Sequence, residues 1–564
     1  MGPVLLGLAL LLRAGLGAGP LRGCSETRRA LGARGLGLGP PALLSGEHLR
    51  ICPQDYPCCS SDLEEQLSRQ SESDFRALVE EGASFLSSTL ASRHRRFEEF
   101  FRELLVTAER GLQAMFTRTY GRLYTQNARL FVGLFAELQR QQQGARLSLA
   151  EVLDELWVRL LERMLPLLNP QYQFPPAYLE CVGRQAEALR PFGDVPRKLR
   201  LQVTRAFGAA QAFVQGLATG RDVVTKAAKM APSSECLRAA MRMSYCPLCR
   251  GSPALKPCRA FCLNVMKGCL AAATALHAEW DHFLDALIQV AERLVGPFNV
   301  ELAAESIGVK ISEGIMYMQE NGVQTSAKVF QGCCTPRPAP ARSRRATQPE
   351  TKRRFRTYPT EEKPTTAAGT NLDRLVIDVK EKLQLMRGFW LGLPHTLCSD
   401  GKVAADVTEE DKCWNGQARG RYLPDVTGDG LANQINNPEV EVDITRPNLL
   451  TRHHLLQLRA ATSRLQGAYT GQDLDFQDTF ADEDGSGSGG GERYSEDGPA
   501  TGGGSSSSTV GSRPPDSRSP RRDRPIKGSR QNHHPSGSSS CAAFWRGSAL
   551  LLLLPALEWL LLGQ

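Results

Sequence analysis

Two serines near the C-terminal end of the chain have the surroundings of a sugar acceptor. Ser486 and Ser488 alternate with glycine in the string Asp-Gly-Ser-Gly-Ser-Gly at residues 484–489, and further acidic residues flank this string. The glycines leave the serine hydroxyls accessible, and acidic neighbours suit an enzyme with a basic groove. The pattern resembles the acceptor of xylosyltransferase, which begins a glycosaminoglycan chain. We therefore predict attachment at Ser486 and Ser488; an ordinary Gly/Ser linker is the alternative.

A second segment with reactive chemistry is the basic stretch at residues 336–366. It is Pro-rich, has almost no large aliphatic residues, and contains Arg-Ser-Arg-Arg at 342–345 and Lys-Arg-Arg-Phe-Arg at 352–356. This composition predicts an exposed loop. Arg-x-Arg-Arg resembles the site cut by furin-type convertases, so we predict cleavage after Arg345. A solvated charge run is the alternative, and nuclear localisation conflicts with the export signal described below.

Catalytic chemistry has little support in the sequence. The string His277-x-Glu279-x-Asp281-His282 brings polar side chains together, but it is not the His-Glu-x-x-His arrangement of zinc enzymes. We interpret it as a polar helix face. We find no Gly-x-Ser-x-Gly elbow and no phosphate-binding loop. We predict no catalytic residues, no metal site and no cofactor, and hence a protein that is not an enzyme.

The N-terminal end predicts export from the cell. Residues 4–12 form an apolar run, and small residues follow as far as Gly19. This is the pattern of a secretory signal peptide, which we assign to residues 1–19. The run is too short to span a bilayer, and a buried N-terminal helix is the alternative.

The C-terminal end predicts a lipid anchor. Small residues at 536–543, a short spacer, and an apolar run at 549–563 interrupted by Pro555 and Glu558 match a glycosylphosphatidylinositol (GPI) signal. We predict attachment at Ser540, with Ser538 and Ser539 as alternatives, and removal of residues 541–564. A short tail anchor is the competing interpretation. The protein would then lie on the extracellular face of the plasma membrane, with shedding into the extracellular space as an alternative.

Export makes disulfides the expected state of the sixteen cysteines. The cluster of Cys246, Cys249, Cys258, Cys262 and Cys269 contains a C-x2-C pair of the kind found in zinc sites. The oxidising route and the lack of a paired second knuckle favour disulfides instead. Removal of Cys541 with the anchor signal would leave an odd number of cysteines. We predict that Cys334, next to Cys333, is the unpaired one, either free or paired between chains.

Length and composition allow a large folded core. The chain has 564 residues, 41% of them hydrophobic, and a net charge of +8 that is spread along its length. A dispersed charge of this size does not predict nucleic-acid binding. The composition excludes a collagen, a coiled coil over the whole chain, and a multi-span membrane protein.

Hydrophobic periodicity predicts an all-α core stapled by disulfides. Apolar residues recur at helical spacing over residues 97–112 and again over 153–164, where Ser148-x-x-Glu151 is a capping box. A later helix is predicted over 372–383, with Thr370 as its N-cap. We assign the Cys-rich core to residues 24–335 and 367–480. Residues 481–540, rich in Gly, Ser and Pro, are predicted to be a disordered tether carrying the sugar acceptors.

Specific strings within the core resemble the glypican family. Phe-Cys-Leu-Asn-Val-Met-Lys-Gly-Cys at 261–269 is similar to the family's FC-x-NV-x-x-GC signature, and Cys-Trp-Asn-Gly at 413–416 and Gly-Leu-Ala-Asn-Gln-Ile-Asn-Asn-Pro-Glu at 430–439 support it. The two terminal signals and the Ser-Gly pair also fit this family. The resemblance covers about residues 24–490. The strings look most like the branch that contains cerebroglycan and K-glypican.

The resemblance implies an elongated all-α core with fourteen cysteines in seven disulfides. The implied pairs are Cys24–Cys58, Cys52–Cys246, Cys59–Cys249, Cys181–Cys333, Cys236–Cys269, Cys258–Cys413 and Cys262–Cys398. The last two connect the two sides of the basic loop, so a chain cut after Arg345 would remain joined. At the position of Cys334 the family usually has glycine.

The resemblance also implies the function. We expect a cell-surface heparan sulfate proteoglycan that acts as a co-receptor. Its sulfated chains would bind and concentrate basic growth factors and morphogens of the Wnt, Hedgehog and fibroblast growth factor types. The alternative is a GPI-anchored adhesion or co-receptor module that binds protein partners through its core alone. No nucleic-acid partner is expected.

Overall fold

The structure is a computed structural model. It describes residues 24–36, 39–55, 57–145, 147–339, 371–445 and 448–471. The chain divides into two compact units, residues 1–476 and 477–564, and all described residues belong to the first. The signal peptide, most of the basic loop, the tether and the GPI signal lie outside the described residues, so their assignments stay predictions.

The regular secondary structure in the described part of the chain is helical; this part contains no β-strand, only isolated β-bridges. The prediction of an all-α, disulfide-stapled core is confirmed. In this part of the chain, no helix has a segment long and apolar enough to cross a membrane. The α-helices are α1 (Ser25–Ala33), α2 (Ser61–Tyr120), α3 (Arg122–Gln142), α4 (Leu149–Leu168), α5 (Pro176–Leu189), α6 (Val195–Ala228), α7 (Ser234–Ser244), α8 (Cys246–Cys249), α9 (Arg259–Cys269), α10 (Ala271–Thr274), α11 (His277–Val295), α12 (Val300–Glu320), α13 (Gly322–Cys333), α14 (Leu372–Gln384), α15 (Phe389–Ser399) and α16 (Leu449–Thr470). Short 3-10 helices span Val407–Glu409 and Leu431–Asn436.

Helix α2 has 60 residues, about 90 Å at 1.5 Å per residue. It begins where the Ser60 hydroxyl accepts a hydrogen bond from the backbone N–H of Leu63. It ends at Gly121, whose φ of 54° suits a residue without a Cβ. The apolar face predicted over residues 97–112 is buried, and the ring of Phe97 meets that of Phe213 in α6 edge-on at 4.8 Å.

Glycines let the long helices approach one another closely. A Cβ atom at Gly216 of α6 would lie 2.8 Å from the Leu287 side chain of α11. A Cβ atom at Gly314 of α12 would lie 2.8 Å from the ring of Trp157 in α4. Because protein interiors are packed as densely as organic crystals, such contacts leave no room for a larger residue.

The helices that follow the basic loop share one core with those before it. The indole N–H of Trp280 in α11 donates to the carbonyl of Met386, just after α14, at 3.1 Å. The Trp280 ring also meets that of Trp390 in α15 at 6.2 Å. Arg93 of α2 pairs with Asp378 of α14 at 2.7 Å. Noncovalent packing therefore joins the two sides of the loop.

One of the two predicted helix caps is correct. The Ser148 hydroxyl accepts a hydrogen bond from the backbone N–H of Glu151 at 3.3 Å and begins α4, as the capping box predicts. The prediction of Thr370 as the cap of α14 is wrong. The N-cap is Asn371, whose side-chain oxygen accepts from the backbone N–H of Arg374 at 3.1 Å. Asparagine is among the strongest N-cap residues, and it stands one position closer to the helix.

The seven disulfides implied by the family resemblance are all present. The pairs are Cys24–Cys58, Cys52–Cys246, Cys59–Cys249, Cys181–Cys333, Cys236–Cys269, Cys258–Cys413 and Cys262–Cys398. Three of them tie the N-terminal segment together and to α8. In that segment the buried carboxylate of Glu64 accepts hydrogen bonds from the backbone N–H groups of Arg50, Ile51 and Cys52.

Cys334 is disulfide-bonded in the structure of the whole chain, which differs from the prediction that it is unpaired; that prediction concerns the chain after removal of Cys541. The other cysteines in the described part of the chain pair with one another. The prediction counted fifteen cysteines after removal of Cys541, whereas the whole chain has an even sixteen. The backbone at Cys334 has φ 67° and ψ 165°, a region that glycine adopts far more easily. This agrees with the glycine that the family usually has there.

The contact of Gly314 with Trp157 generates a prediction about packing. Gly314→Val should lower the free energy of unfolding by about 1–3 kcal/mol, because the rigid indole ring cannot move away from the added atoms. The midpoint of thermal unfolding measures this effect. A matched control is Gly133→Ala in α3, where a Cβ atom meets nothing within 4 Å. The control should stabilise the helix slightly, and equal midpoints for the two variants would contradict the prediction.

Candidate functional site

Helix α16 is the last described helix before the predicted sugar acceptors. Gly471 ends this helix with a φ of 72°. A Cβ atom at Gly471 would lie 3.0 Å from the Phe298 ring and 3.2 Å from the guanidinium of Arg205 in α6. The end of α16 is therefore seated against α6 and the connection between α11 and α12.

A cation–π contact holds this end of α16 in place. The guanidinium carbon of Arg293 lies 4.1 Å from the ring centroid of Tyr469 and 5.5 Å from that of Phe298. An arginine over aromatic faces is attracted by the ring quadrupoles. Ser486 follows Gly471 by fifteen residues, which can span at most about 50 Å. A sugar on that serine therefore stays within about 50 Å of the end of α16.

The basic loop also leaves the core from a fixed point. Backbone hydrogen bonds join Gln173 to Arg337 at 2.8 Å and Ala339 to Gln171 at 2.9 Å. These bonds hold the first residues of the loop beside the segment between α4 and α5. The predicted cleavage residue, Arg345, follows six positions after Ala339 and lies outside the described residues.

The other predicted modification sites also lie outside the described part of the chain. The structure consequently brings none of them together and tests none of them. They are the sugar acceptors Ser486 and Ser488 and the anchor residue Ser540 with its alternatives Ser538 and Ser539.

The family string at residues 261–269 forms a polar anchor for the segment that follows α15. The side-chain amide of Asn264 donates to the Tyr422 hydroxyl and to the carbonyl of Asp425, both at 3.0 Å, and its oxygen accepts from the backbone N–H of Thr427 at 2.9 Å. A Cβ atom at Gly268 would lie 2.6 Å from Val440. The signature residues of α9 thus hold a segment that has little regular structure of its own.

Lys267 extends this anchor with a buried charge. Its ammonium group donates to the carbonyl of Thr427 at 2.6 Å and pairs with Asp429 at 2.8 Å, and its side chain is only 6% exposed. His395 of α15 contacts the same carboxylate at 3.0 Å. Partial burial raises the pKa of Asp429, but the hydrogen bonds and charges of Lys267 and His395 outweigh this effect and bring it below its ordinary value of 3.8.

A second polar cluster closes the same region. The Tyr422 hydroxyl donates to Glu439 at 3.0 Å, and Glu439 pairs with Arg242 of α7 at 3.3 Å. Burial raises the pKa of Tyr422 far above its ordinary value. Burial also raises the pKa of Glu439, against the opposing effects of Tyr422 and Arg242. These shifts follow from a structural network that is only partly exposed to water.

An apolar pocket of about 300 Å³ lies beside this anchor, between α2, α6, α9 and α10. Phe75 and Val79 of α2 form one wall, and Leu270 and Ala272 form part of another. Polar residues complete the lining: Arg76, Ser233, Glu441, Asp443 and Asn448. The volume is at the lower end of the range for small-molecule sites. The pocket therefore offers apolar walls beside polar groups.

The polar string at residues 277–282 of α11 contacts other parts of the core. Glu279 pairs with Arg459 of α16 at 2.8 Å, and Asp281 accepts a hydrogen bond from the backbone N–H of Gly388 at 3.1 Å. His277 lies 3.7 Å from Asp281. Within the ranges that the structure describes, no three His, Cys, Asp or Glu side chains are grouped so as to hold a metal ion.

Sequence reasoning missed the role of α9 and the apolar pocket. Asn264 and Lys267 were quoted only as part of a family string, although two polar residues on an otherwise apolar helix were a local signal of a buried polar contact. The pocket gave no comparable signal, because its walls come from segments far apart in the chain.

Comparison with known proteins identifies relatives along most of the chain. A family model described as glypican matches residues 4–556. The chain is 54% identical to glypican-2 from Homo sapiens over 485 residues, which cover 84% of this chain and 83% of the relative. It is 48% identical to glypican-1 from Rattus norvegicus over 472 residues, which cover 83% of each.

Solved structures share the fold. The core protein of full-length glypican-1 is 46% identical, with a TM-score of 0.70, and the match covers 80% of this chain and 100% of that one. The structure of Dally-like protein in complex with O-palmitoleoyl serine is 31% identical, with a TM-score of 0.58, and the match covers 80% and 99% of the two chains.

The Lys267–Asp429 contact generates a prediction about pH. Lys267→Met should lower the free energy of unfolding by about 1–3 kcal/mol at neutral pH, because a buried carbonyl loses its donor and a carboxylate loses its partner. A lowered folded-state pKa means that the contribution of Asp429 is present above its unfolded pKa of about 3.9 and is lost as the pH falls through the folded value. The difference between wild type and variant should therefore narrow below about pH 4.

Denaturant unfolding at several pH values measures this difference. The matched control is Lys310→Met, which removes a more exposed ion pair with Glu313 on α12 and should change stability by less than about 1 kcal/mol. A penalty for Lys267→Met that stays constant between pH 7 and pH 3 would contradict the assigned role of Asp429.

Proposed function

This chain belongs to the glypican family of cell-surface proteoglycans, and we propose that it carries heparan sulfate at Ser486 and Ser488 and acts as a co-receptor. The observation that carries the proposal is the family match over residues 4–556, which includes the acid-flanked Ser-Gly pair. The pair also follows the end of the helical core by only fifteen residues. Sugar chains there would be attached within about 50 Å of the end of α16.

The co-receptor activity follows from the charge of the sugar chains. Sulfated polymers attract basic growth factors and morphogens through contacts that release counterions and weaken with salt. Holding such ligands at one surface raises their local concentration near signalling receptors. We propose ligands of the Wnt, Hedgehog and fibroblast growth factor types. The protein would be attached to the extracellular face of the plasma membrane by a GPI lipid at Ser540.

Cleavage of the basic loop after Arg345 would not separate the two sides of the core. The disulfides Cys258–Cys413 and Cys262–Cys398 connect them covalently. The contacts of Trp280 with α15 and of Arg93 with α14 connect them noncovalently. A cut chain would therefore function as one unit.

Electrophoresis of the cell-surface protein tests the proteoglycan proposal. The wild type should migrate as a broad high-mass smear that heparinase collapses to a band near the core mass. Ser486→Ala/Ser488→Ala should give the sharp band directly. Ser536→Ala, which removes an isolated Ser-Gly outside the acidic cluster, is the matched control and should keep the smear. A sharp band for the wild type would favour the alternative, a module that binds partners through its core alone.

The apolar pocket supports a second proposed activity, the binding of a fatty acyl group. Dally-like protein, a relative with the same fold, has been solved in complex with O-palmitoleoyl serine. In this chain the pocket between α2, α6, α9 and α10 offers buried apolar walls, including Phe75 and Leu270, with a polar edge. Burying a CH₂ group contributes about 0.8 kcal/mol, so an acyl chain entering the pocket only in part would still gain affinity.

Filling the pocket tests this activity. Ala272→Phe places a ring where the acyl chain would lie and should weaken binding of O-palmitoleoyl serine to the secreted protein at least tenfold, measured by calorimetry. The matched control is Ala278→Phe at an exposed position of α11. Equal affinity for the two variants would exclude this pocket, and no binding by the wild type would exclude the activity.

A further inference from the structure

Two neighbouring helices, α6 and α16, carry an excess of positive charge. Helix α6 contains six arginine and lysine residues and one acidic residue, and α16 contains three arginines, two histidines and no acidic residue. The two helices pack side by side, and a Cβ atom at Gly216 of α6 would lie 3.4 Å from the Leu465 side chain of α16. Their charges therefore add on one surface of the core.

Ion pairs neutralise only part of this charge. Three arginines of these helices are paired: Arg200 with Asp154 at 3.0 Å, Arg221 with Asp222 at 2.7 Å, and Arg459 with Glu279 at 2.8 Å. The other cations of the two helices are exposed and form no ion pair within the described part of the chain; they are Arg197, Lys198, Arg205, Lys226, Arg452 and Arg464. The acidic residue of α6, Asp222, is already engaged by Arg221, so it does not offset these charges.

Three of the unpaired cations follow a shallow groove between α6 and α16. Arg464 of α16 lines this groove together with Thr219 of α6. Lys226 comes seven residues after Thr219, so it lies on the same face of α6 two turns further on. At the opposite end, a Cβ atom at Gly471 would lie 3.2 Å from the guanidinium of Arg205, which places Arg205 beside the end of α16.

The start of α16 extends the row of positive charges. Burial lowers the pKa of His454, and the charges of His453 and Lys226 lower it further, against the effect of a hydrogen bond with Gln457. Lys226 of α6 is therefore close to the first turns of α16. His453 is exposed and lies eleven residues before Arg464, on the same face of α16. From His453 to the end of α16 the row covers about 27 Å at the helical rise.

A row of unpaired cations along a narrow groove suits a linear polyanion. Sulfate groups accept charge-assisted hydrogen bonds from guanidinium and ammonium groups. Gln215 and Thr219 lie between the cations, and their amide and hydroxyl groups can bond to the hydroxyls of a sugar. An acidic peptide would supply the charge without these hydroxyls, and a flat membrane surface would not enter the groove. The combination favours a sulfated polysaccharide.

We propose that the groove between α6 and α16 binds a sulfated polysaccharide carried by another molecule. This is a binding activity of the protein core, and it does not depend on the attachment of sugar at Ser486 and Ser488. Neighbouring proteoglycans carry polymers of this kind. The core would thus bind the chains of its neighbours, in addition to any chains that the protein carries itself.

Binding of the full-length protein to immobilised heparin, measured by surface plasmon resonance, tests the proposal. Every sample carries Ser486→Ala/Ser488→Ala, so that sugar on the protein itself does not compete and the result is independent of the proposed attachment. The full chain is used so that its acidic residues between 473 and 484 compete with the probe. We expect this protein to bind heparin with an affinity that falls steeply as salt is added.

Variants of the groove and of a distant surface locate the binding. Lys226→Gln/Arg464→Gln should lower the affinity for heparin at least fivefold, because two contacts that release counterions are lost. The matched control is Arg129→Gln/Arg163→Gln, which removes two exposed arginines from α3 and α4 and should leave the affinity unchanged. Arg464→Lys keeps the charge and should retain most of the affinity.

Three results would overturn the proposal. The first is no binding to heparin by the protein with an intact groove, and the second is equal affinity for the two double variants. The third is tighter binding to phosphatidylserine vesicles or to polyglutamate than to heparin, which would assign the groove to a membrane or to an acidic peptide. The substituted side chains are exposed, so the thermal unfolding midpoints of the variants should match that of the starting protein.

Discussion

Five of the seven disulfides join cysteines that are 136–194 residues apart, and this long-range cross-linking is the constraint on which the core depends. Closing a loop of this length lowers the entropy of the unfolded chain and stabilises the fold by about 5 kcal/mol for one such bond in the chain-entropy account. The cross-links fall where helices are short or absent: α8, the N-terminal segment, and the region after α15. The long helices α2, α6 and α16 need no such help, because their apolar faces bury one another.

Where the chain lacks helices, side chains supply hydrogen bonds to backbone groups that have no partner within a helix. The segment from Trp414 to Val440 contains only a short 3-10 helix, and its backbone groups are satisfied largely by side chains. Asn264 and Lys267 supply these partners from one face of α9. Because each buried polar group there has a defined partner, the segment adopts one conformation. The residues directly after this segment, Glu441, Val442 and Asp443, line the apolar pocket.

The helical core and the two segments predicted to be modified, the tether and the basic loop, have different roles in the proposed function. The core fixes the points from which the tether and the basic loop depart, through the Arg293–Tyr469 contact and the backbone bonds at Arg337 and Ala339. The proposed chemistry of both segments, sugar addition and cleavage, requires chain that enzymes can reach. One candidate binding surface on the core is the pocket between α2, α6, α9 and α10, which offers apolar walls beside polar groups.

The sequence by itself determined what depends on near neighbours in the chain. Helical periodicity identified the buried face of α2, and the Ser148–Glu151 capping box identified the start of α4, because both are set within a few residues. The same local reasoning misplaced the cap of α14 by one position, at Thr370. The cysteine pairs came from the family resemblance and not from the residues, since spacing alone allows many pairings. Tertiary structure alone decided the polar role of α9 and the apolar pocket, because each is made by side chains from separate segments whose approach depends on the packing of the whole core.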